Sequence, residues 1–374
     1  MRLANIFHLG FKELISLRHD LVLMLLIAYA FTIAIVAPAK GVSLELKNAS
    51  IAVVDEDRSA LSRSLIDGLR TPFFQSPKLV SLSQVDSGMN TGNYTFVLDI
   101  PPHFQSDLSA GRRPVVQLNV DATAMAQAGN GARYIERMID QQTRIFLFGY
   151  QQELTLPVTQ VTRLAFNPNS ESAWFLAVMQ IVNMCTLLGI LLTGAALIRE
   201  REHGTIEHLL VMPLTPAEIM LAKVWSNALV ILVAATAAML LVVKGFLGVP
   251  IAGSLSLFVL GLAVYLFSLT AIGILLATLA RSMPQFGLLS IPVFLVMYML
   301  SGANTPLDAM PEVLQRIMLV SPTTHFVSFS QGVIFRGAGM AQLWPQLLAT
   351  AVIGTIAFIV ALARFRQTVT LTHL

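Results

Sequence analysis

The sequence predicts a polytopic α-helical membrane protein with six transmembrane helices, an N-terminal interfacial helix and an inserted extracytoplasmic α/β domain. The composition is 55% hydrophobic and only 12% charged, with a mean hydropathy of +0.71. Five long runs contain no Asp, Glu, Lys or Arg, and each approaches or exceeds the roughly 20 helical residues that cross a hydrocarbon core. A long segment of mixed polarity follows the first, shorter apolar stretch. The five runs are 173–198, 224–243, 252–280, 285–303 and about 344–363.

The N-terminal residues 1–20 are predicted to form an amphipathic helix that lies on the membrane surface. Leu3, Phe7 and Gly10 belong to a set of positions with helical spacing. Residues 21–38 are predicted as the first transmembrane helix. A signal peptide is the alternative, because Ala37-Pro38-Ala39 resembles a small-residue cleavage site. The length of the run and the twenty residues that precede it favour the transmembrane helix.

The distribution of positive charge predicts the orientation. Six spans place both termini on one side of the membrane, and lysine and arginine concentrate in the short segments on the cytoplasmic side. Both termini are therefore predicted to be cytoplasmic. The residues on that side are Arg2, Lys12, Arg18, Arg199, Arg201, Lys223, Arg281, Arg364 and Arg366, against Lys244, Arg316 and Arg336 on the other.

Residues 39–172 are predicted to form the extracytoplasmic α/β domain. Runs rich in β-branched residues predict strands, and the segments between them have the composition and the end signals of helices. The predicted strands are 50–55, 94–100 and 115–120, and the predicted helices are 57–69, 102–108 and 126–152.

The second half of the chain alternates spans with short connections. Pro311 is predicted to open a short helix that Pro322 ends, with a second piece over 324–335, as interfacial or re-entrant helices of the outer face. The predicted boundaries are transmembrane helices 173–198, 222–244, 252–280, 285–303 and 344–364, a cytoplasmic loop 199–221, the short helices 304–343 and a cytoplasmic tail 365–374.

The loop that follows the second span is charged and interrupted. Burying the four ionic residues 199–202 near the middle of a bilayer would cost on the order of 10 kcal/mol, so the chain must leave the lipid here. A helix of about two turns is predicted next, with one apolar stripe. Thr215 and Glu218 then form a capping box with Pro216 at the first helical position. The stripe consists of Ile206, Leu209, Leu210 and Pro213.

Three interpretations of this short helix are open. It packs on the end of its own bundle, it docks a soluble partner, or it belongs to a metal site. The last is disfavoured, because His203 and His208 are five residues apart, whereas the zinc-peptidase motifs place two histidines four apart. No metal site, cofactor or catalytic residue is predicted.

The missing motifs exclude several classes of function. The long runs contain none of the ionisable residues that proton- or sodium-coupled carriers use. A G-x-x-x-x-G-K-[ST] phosphate loop is also lacking, so the chain does not bind ATP by that route. Basic residues are scattered and form no face for nucleic acid. Energy for uphill transport would have to come from another polypeptide. The single cysteine, Cys185, excludes an intrachain disulfide.

The whole chain resembles the permease subunit of type-2 ATP-binding-cassette (ABC) exporters, in particular the bacterial drug-efflux permeases with a large periplasmic domain. The most specific part is the pattern E-x-G-T-x-E-x-L-L-x-x-P, which begins at Glu202 and ends at Pro213. The resemblance implies a coupling helix, about Gly204 to Pro213, that seats in a groove of a separate ATPase. The residues assigned to ATPase coupling are Glu202, Gly204, Thr205, Ile206, Glu207, Leu209, Leu210 and Pro213.

The resemblance also implies the partners and the location. They are a cytoplasmic ABC ATPase, a second permease half that is identical or paralogous, membrane lipid, and in many relatives a periplasmic adaptor. The predicted function is export of a drug-like, amphipathic or lipidic substrate across the bacterial inner membrane. The alternative is a non-transporting receptor or signalling protein whose outer domain binds a ligand, and a membrane hydrolase is the weakest hypothesis.

Overall fold

The chain divides into two compact units. The helical unit comprises Met1–Gly41 and Ala173–Leu374, and the α/β unit comprises Val42–Ala165. The computed structural model describes residues 2–41, 46–149, 171–204 and 214–371.

Within its described residues, the helical unit contains six helices that are long and apolar enough to cross a membrane, as the sequence predicts. We number them span 1 to span 6 in chain order. A further helix, Leu3–His19, precedes them at the position of the predicted interfacial helix. The spans are Leu21–Gly41, Ser172–Glu202, Pro216–Phe246, Leu255–Leu279, Met283–Leu300 and Met340–Gln367.

Spans 1 and 3 are not uniform α-helices. Span 1 consists of Leu21–Phe31 and Ile33–Gly41, because the backbone of Thr32 leaves the helical region with φ −125° and ψ −82°. Span 3 is α-helical over Pro216–Ala238 and continues as a π-helix over Met239–Phe246. At neither irregularity does the sequence show a strong helix-breaking signal, such as a proline.

Spans 2 and 6 illustrate how some helices extend beyond their predicted ends. Span 2 continues to Glu202, where 198 was predicted, and the last helix continues to Leu371, so most of the predicted tail 365–374 is helical. Charged residues end the part of a helix that can lie in lipid, but Arg and Glu are good helix formers and do not end the helix itself. The connection between spans 2 and 3, which we call the loop, therefore comprises residues 203–215.

Short helices connect spans 5 and 6. They are a 3₁₀ turn at Leu307–Ala309, an α-helix at Glu312–Met318 and an α-helix at Pro322–Ile334. Pro322 follows the end of one helix, as predicted, and also occupies the first turn of the next. Proline suits this place because a first-turn N–H has no partner within the helix.

The helix Pro322–Ile334 is buried within the helical unit. The hydroxyl of Tyr265, near the middle of span 4, donates to Thr323 Oγ1 at 2.9 Å and lies 2.6 Å from Thr186 Oγ1 of span 2. Phe326 stacks on the Tyr265 ring with the centroids 4.2 Å apart. The second predicted piece, 324–335, therefore packs inside the helical unit and does not lie on its surface.

The α/β unit is built on a four-stranded sheet with the order β2-β1-β3-β4. β1 is parallel to β2 and β3, and β4 is antiparallel to β3. The pairs Ile51↔Phe96 and Phe96↔Val120 set the register. Three strands lie where the sequence predicts them. The strands are Ile51–Asp55 (β1), Lys78–Leu79 (β2), Phe96–Ile100 (β3) and Gln117–Val120 (β4).

In the described part of the unit four helices accompany this sheet, and a core that includes Leu65, Phe74 and Ile135 holds them together. The sequence predicts neither β2 nor the helix after it. β2 consists of only two residues, both exposed, so it shows no alternation of polarity. The helices are Ala60–Gly68, Leu82–Asn90, Phe104–Ser109 and Met125–Phe148.

Candidate functional site

The predicted coupling residues begin at the last turn of span 2. Glu202 and Gly204 are described by the structure, and Gly204 has φ +68°. A left-handed residue directly after a helix is a common helix end, and glycine adopts it without strain. Among the described residues, no atom lies within 4 Å of the position of an added Cβ, so backbone conformation favours glycine. Thr205, Ile206, Glu207, Leu209, Leu210 and Pro213 lie outside the described residues.

Glu202 contacts the protein's own span 5. Its Oε1 accepts a hydrogen bond from the backbone N–H of Met283 at 2.8 Å. Met283 is the first residue of span 5, where the N–H has no partner within the helix and the helix dipole favours a negative charge. The resemblance assigns Glu202 to the ATPase contact, and the structure gives its carboxylate this partner within the bundle.

Arg201 makes the complementary contact with the end of span 4. Its guanidinium donates to the backbone oxygen of Ala280 at 2.6 Å and to that of Ala277 at 3.3 Å. The last carbonyl groups of a helix lack partners within it and favour a positive charge. Arg201 and Glu202 together therefore hold both ends of the turn that joins spans 4 and 5.

Glu200 points to span 3, where it shares a lysine with the N-terminal helix. The Nζ atom of Lys223 lies 2.8 Å from Glu200 Oε1 and 2.9 Å from Glu13 Oε1. The Lys223 side chain is only 1% exposed, and the two carboxylates are 15–17% exposed. A buried ammonium between two carboxylates satisfies its charge but leaves the group dependent on both partners.

Arg199 faces the junction between the N-terminal helix and span 1. Its Nη1 atom lies 3.4 Å from Asp20 Oδ2, and Asp20 also caps span 1 by accepting from the Leu23 N–H at 3.1 Å. Both partners of this ion pair are partly exposed, with 49% and 34% of their side chains accessible. Such a pair contributes little to stability.

We call residues Arg199–Glu202 the ionic hub. They are successive residues of one helix, so their side chains leave the axis about 100° apart. Each consequently reaches a different neighbour: the start of span 1, span 3 with the N-terminal helix, the end of span 4 and the start of span 5. The loop begins directly after the hub.

The other end of the loop is fixed by the predicted capping box. Glu218 Oε2 accepts from the Thr215 N–H at 2.7 Å, and Thr215 Oγ1 accepts from the Glu218 N–H at 3.3 Å. Glu218 also accepts from the backbone N–H of Arg2 in front of the N-terminal helix. Glu218 therefore links the end of the loop, through Thr215, to the start of that helix.

The N-terminal helix packs along span 3. The Trp225 indole donates to the backbone oxygen of Ile6 at 3.1 Å, and its rings lie over Gly10, where an added Cβ would come within 2.2 Å of them. The helix also carries large apolar side chains that stay exposed, as expected for a helix that faces lipid as well. These side chains are Leu3, Phe7, Phe11 and Ile15.

The sequence predicts the loop and its caps but not the partners of the hub. Lys223 enters the sequence analysis only as a basic residue of the cytoplasmic side and Glu13 does not enter it, because a pairing between residues so far apart in the chain leaves no local pattern. One signal was available. Lys223 is the eighth residue of the helix that forms span 3. Burying a lysine there is costly unless an acidic side chain faces it.

Comparison with known proteins identifies the family. The profile of the ABC-2 family transporter proteins matches residues 21–363, which is most of the chain. The inner membrane transport permease YhhJ of Escherichia coli (strain K12) is 50% identical over 367 residues, which cover 98% of each chain. The probable multidrug ABC transporter permease YbhR of the same strain is 28% identical over 366 residues, which cover 96% of this chain and 97% of the relative.

A further relative, the probable multidrug ABC transporter permease YbhS of Escherichia coli (strain K12), is 27% identical over 304 residues, or 79% of each chain. The matches to the profile, to YhhJ and to YbhR run through the α/β unit and through all or most of the six spans, so they are not confined to one motif. The chain therefore belongs to the ABC-2 family of transporter proteins.

Proposed function

We propose that the protein is the membrane-spanning permease subunit of an ABC exporter, which moves a substrate out of the cytoplasm or the inner leaflet. Family membership supports a transport role, and the names of YbhR and YbhS, probable multidrug permeases, favour a drug-like, amphipathic or lipidic substrate. The chain itself carries out no catalysis, because ATP is hydrolysed on a separate ATPase chain.

The observation that carries the proposal is the position of the ionic hub at the base of the loop. Residues 199–202 contact the ends of four spans, and the loop follows within one residue. An ATPase that moves the loop therefore also displaces the hub, and through the hub it displaces the ends of several spans. Rigid-body rocking of the spans then opens the path alternately to each side.

We place the protein in the bacterial inner membrane with both termini in the cytoplasm. The name of YhhJ and the basic residues beside the spans support this arrangement. The α/β unit is then extracytoplasmic. A second permease half, identical or paralogous, completes the transport path, and a periplasmic adaptor continues it outward.

The docking of the ATPase is tested with variants of the loop. The chain is co-expressed with the ABC ATPase encoded beside its gene, and co-purification and ATP turnover are measured in membranes. We expect Leu209→Asp and Glu207→Ala to lose association, because the first places a charge on the apolar stripe and the second removes a carboxylate from the family pattern.

Matched substitutions in the α/β unit serve as controls. Leu79→Asp changes an exposed leucine and Glu136→Ala an exposed glutamate, and neither should alter association. If the two loop variants bind the ATPase and support turnover as well as the unaltered protein does, the loop is not the docking site.

A further inference from the structure

The turn between spans 4 and 5 is clamped to the end of span 2 from both sides. Arg201 holds the carbonyl groups of Ala277 and Ala280, and Glu202 holds the N–H of Met283. Each charge has the sign that the helix end next to it favours. Hydrogen bonds with an ionised partner are about twice as strong as neutral ones, so the turn and the hub are firmly joined.

Glu200, another residue of the hub, joins span 2 to span 3 and to the N-terminal helix. Glu200 reaches Lys223, and Lys223 also binds Glu13 of the N-terminal helix. Because that ammonium is almost wholly buried, breaking either contact would leave a charge without a partner in poorly hydrated surroundings. The helix ends around the hub therefore cannot slide past one another without the loss of several charged contacts.

We propose that the ionic hub makes these helix ends move as one body with span 2 when the loop is displaced. In this proposal Arg201 and Glu202 are positioning residues that carry the displacement to spans 4 and 5. Lys223 and Glu13 carry it to span 3 and the N-terminal helix. The inference rests on the proposed function, because it needs an ATPase that moves the loop.

The experiment measures the movement of the turn directly and needs no substrate. The full chain, with Cys185→Ala, is labelled with nitroxides at Arg281→Cys in the turn and at Arg336→Cys near the start of span 6. Both side chains are exposed, and they lie at opposite ends of the helical unit. The distance between the labels is measured by pulsed electron resonance, in complex with the ATPase, with and without a non-hydrolysable ATP analogue.

In the otherwise unaltered protein we expect the distance to change on addition of the analogue. Arg201→Met should bind the ATPase and hydrolyse ATP but lose the change in distance, and Glu202→Ala should lose the change in distance as well. Glu202→Gln should keep it, because its amide oxygen can still accept from Met283. Lys12→Met, an exposed basic residue of the N-terminal helix, is the control and should also keep the change.

The outcomes separate the two proposals. If Arg201→Met or Glu202→Ala folds, binds the ATPase and still shows the full change in distance, the proposal that the hub couples the helix ends is wrong. An unaltered chain that binds the ATPase but shows no nucleotide-dependent change also overturns it. Failure of the unaltered chain to bind an ATPase refutes the proposed function, and the hub, which depends on it, is refuted as well.

Discussion

The Nζ atom of Lys223 lies 2.8 Å from Glu200 Oε1, so the start of span 3 and the end of span 2 are joined by a buried ion pair across the loop. Glu13 completes the contact from the N-terminal helix at 2.9 Å. One ammonium thus binds three helices together at the point where the loop leaves the bundle.

Replacing Lys223 with Met should destabilise the helical unit. Removal of one partner of a buried ion pair costs about 3–5 kcal/mol, because the remaining charges lose their compensation. Since water reaches the two carboxylates in part, we expect a loss at the lower end of this range. Thermal unfolding in detergent, followed by the loss of monodisperse protein, measures it.

The charge explanation is tested by a compensating variant. Lys223→Met combined with Glu13→Gln and Glu200→Gln leaves no buried charge and should recover much of the lost stability. Lys12→Met removes an exposed lysine and should have no effect. A triple variant less stable than Lys223→Met alone would mean that packing of the lysine stem, and not charge, dominates.

Gly204→Ala should weaken the start of the loop. Its φ of +68° costs a residue with a Cβ about 1 kcal/mol or more. Asparagine tolerates this conformation better, so Gly204→Asn should be milder. ATP turnover with the bound ATPase is the measurement. Gly129→Ala, in the helical part of the α/β unit with open surroundings, is the control and should not lower it.

Tyr265→Phe should destabilise the packing of the buried helix Pro322–Ile334. It removes the hydroxyl that lies between Thr186 and Thr323, and leaves Thr323 Oγ1 without its donor in a buried site. A buried hydroxyl that loses its partner costs about 1–3 kcal/mol. Thermal unfolding should show this loss, whereas Tyr29→Phe, at an exposed tyrosine, should be neutral. If Thr323→Val does not reduce the cost of Tyr265→Phe, the hydrogen bond is not its source.

The proposed orientation predicts which positions react from outside intact cells. In a chain with Cys185→Ala, single cysteines are introduced at Ala60, Leu214 and Thr372 and treated with a membrane-impermeant maleimide. Only the cysteine at position 60 should react before lysis, and the other two should react after it. Labelling of position 214 in intact cells would show that the loop is not in the cytoplasm.

Local signals explain most of what the sequence predicts correctly. The six spans follow from uninterrupted apolar runs, and the Thr215–Glu218 capping box follows from two residues three positions apart. The β-rich runs around Val53 and Leu98 likewise predict two strands, β1 and β3. Each of these features depends on residues that are neighbours in the chain.

The features that the sequence does not predict depend on distant partners. The charges of residues 199–202 indicate an exit from lipid, but nothing near them shows that the helix continues and that each side chain has its own neighbour. Pro322 is a helix breaker by local rules, and only its packing near Tyr265 shows that it begins a buried helix. Long-range pairing of this kind becomes visible once the helices are placed beside one another.

The position of Lys223 also bears on the membrane that the protein fits. Between Lys223 and Lys244 the helix has twenty consecutive residues without a charge, which correspond to roughly 30 Å of helix length. This length equals the thickness of a typical hydrocarbon core. The lysine that binds Glu13 and Glu200 therefore marks one border of the hydrocarbon layer. A bilayer several ångströms thicker would draw these three charges into the acyl chains, so the contact between the N-terminal helix and span 3 should depend on lipid chain length.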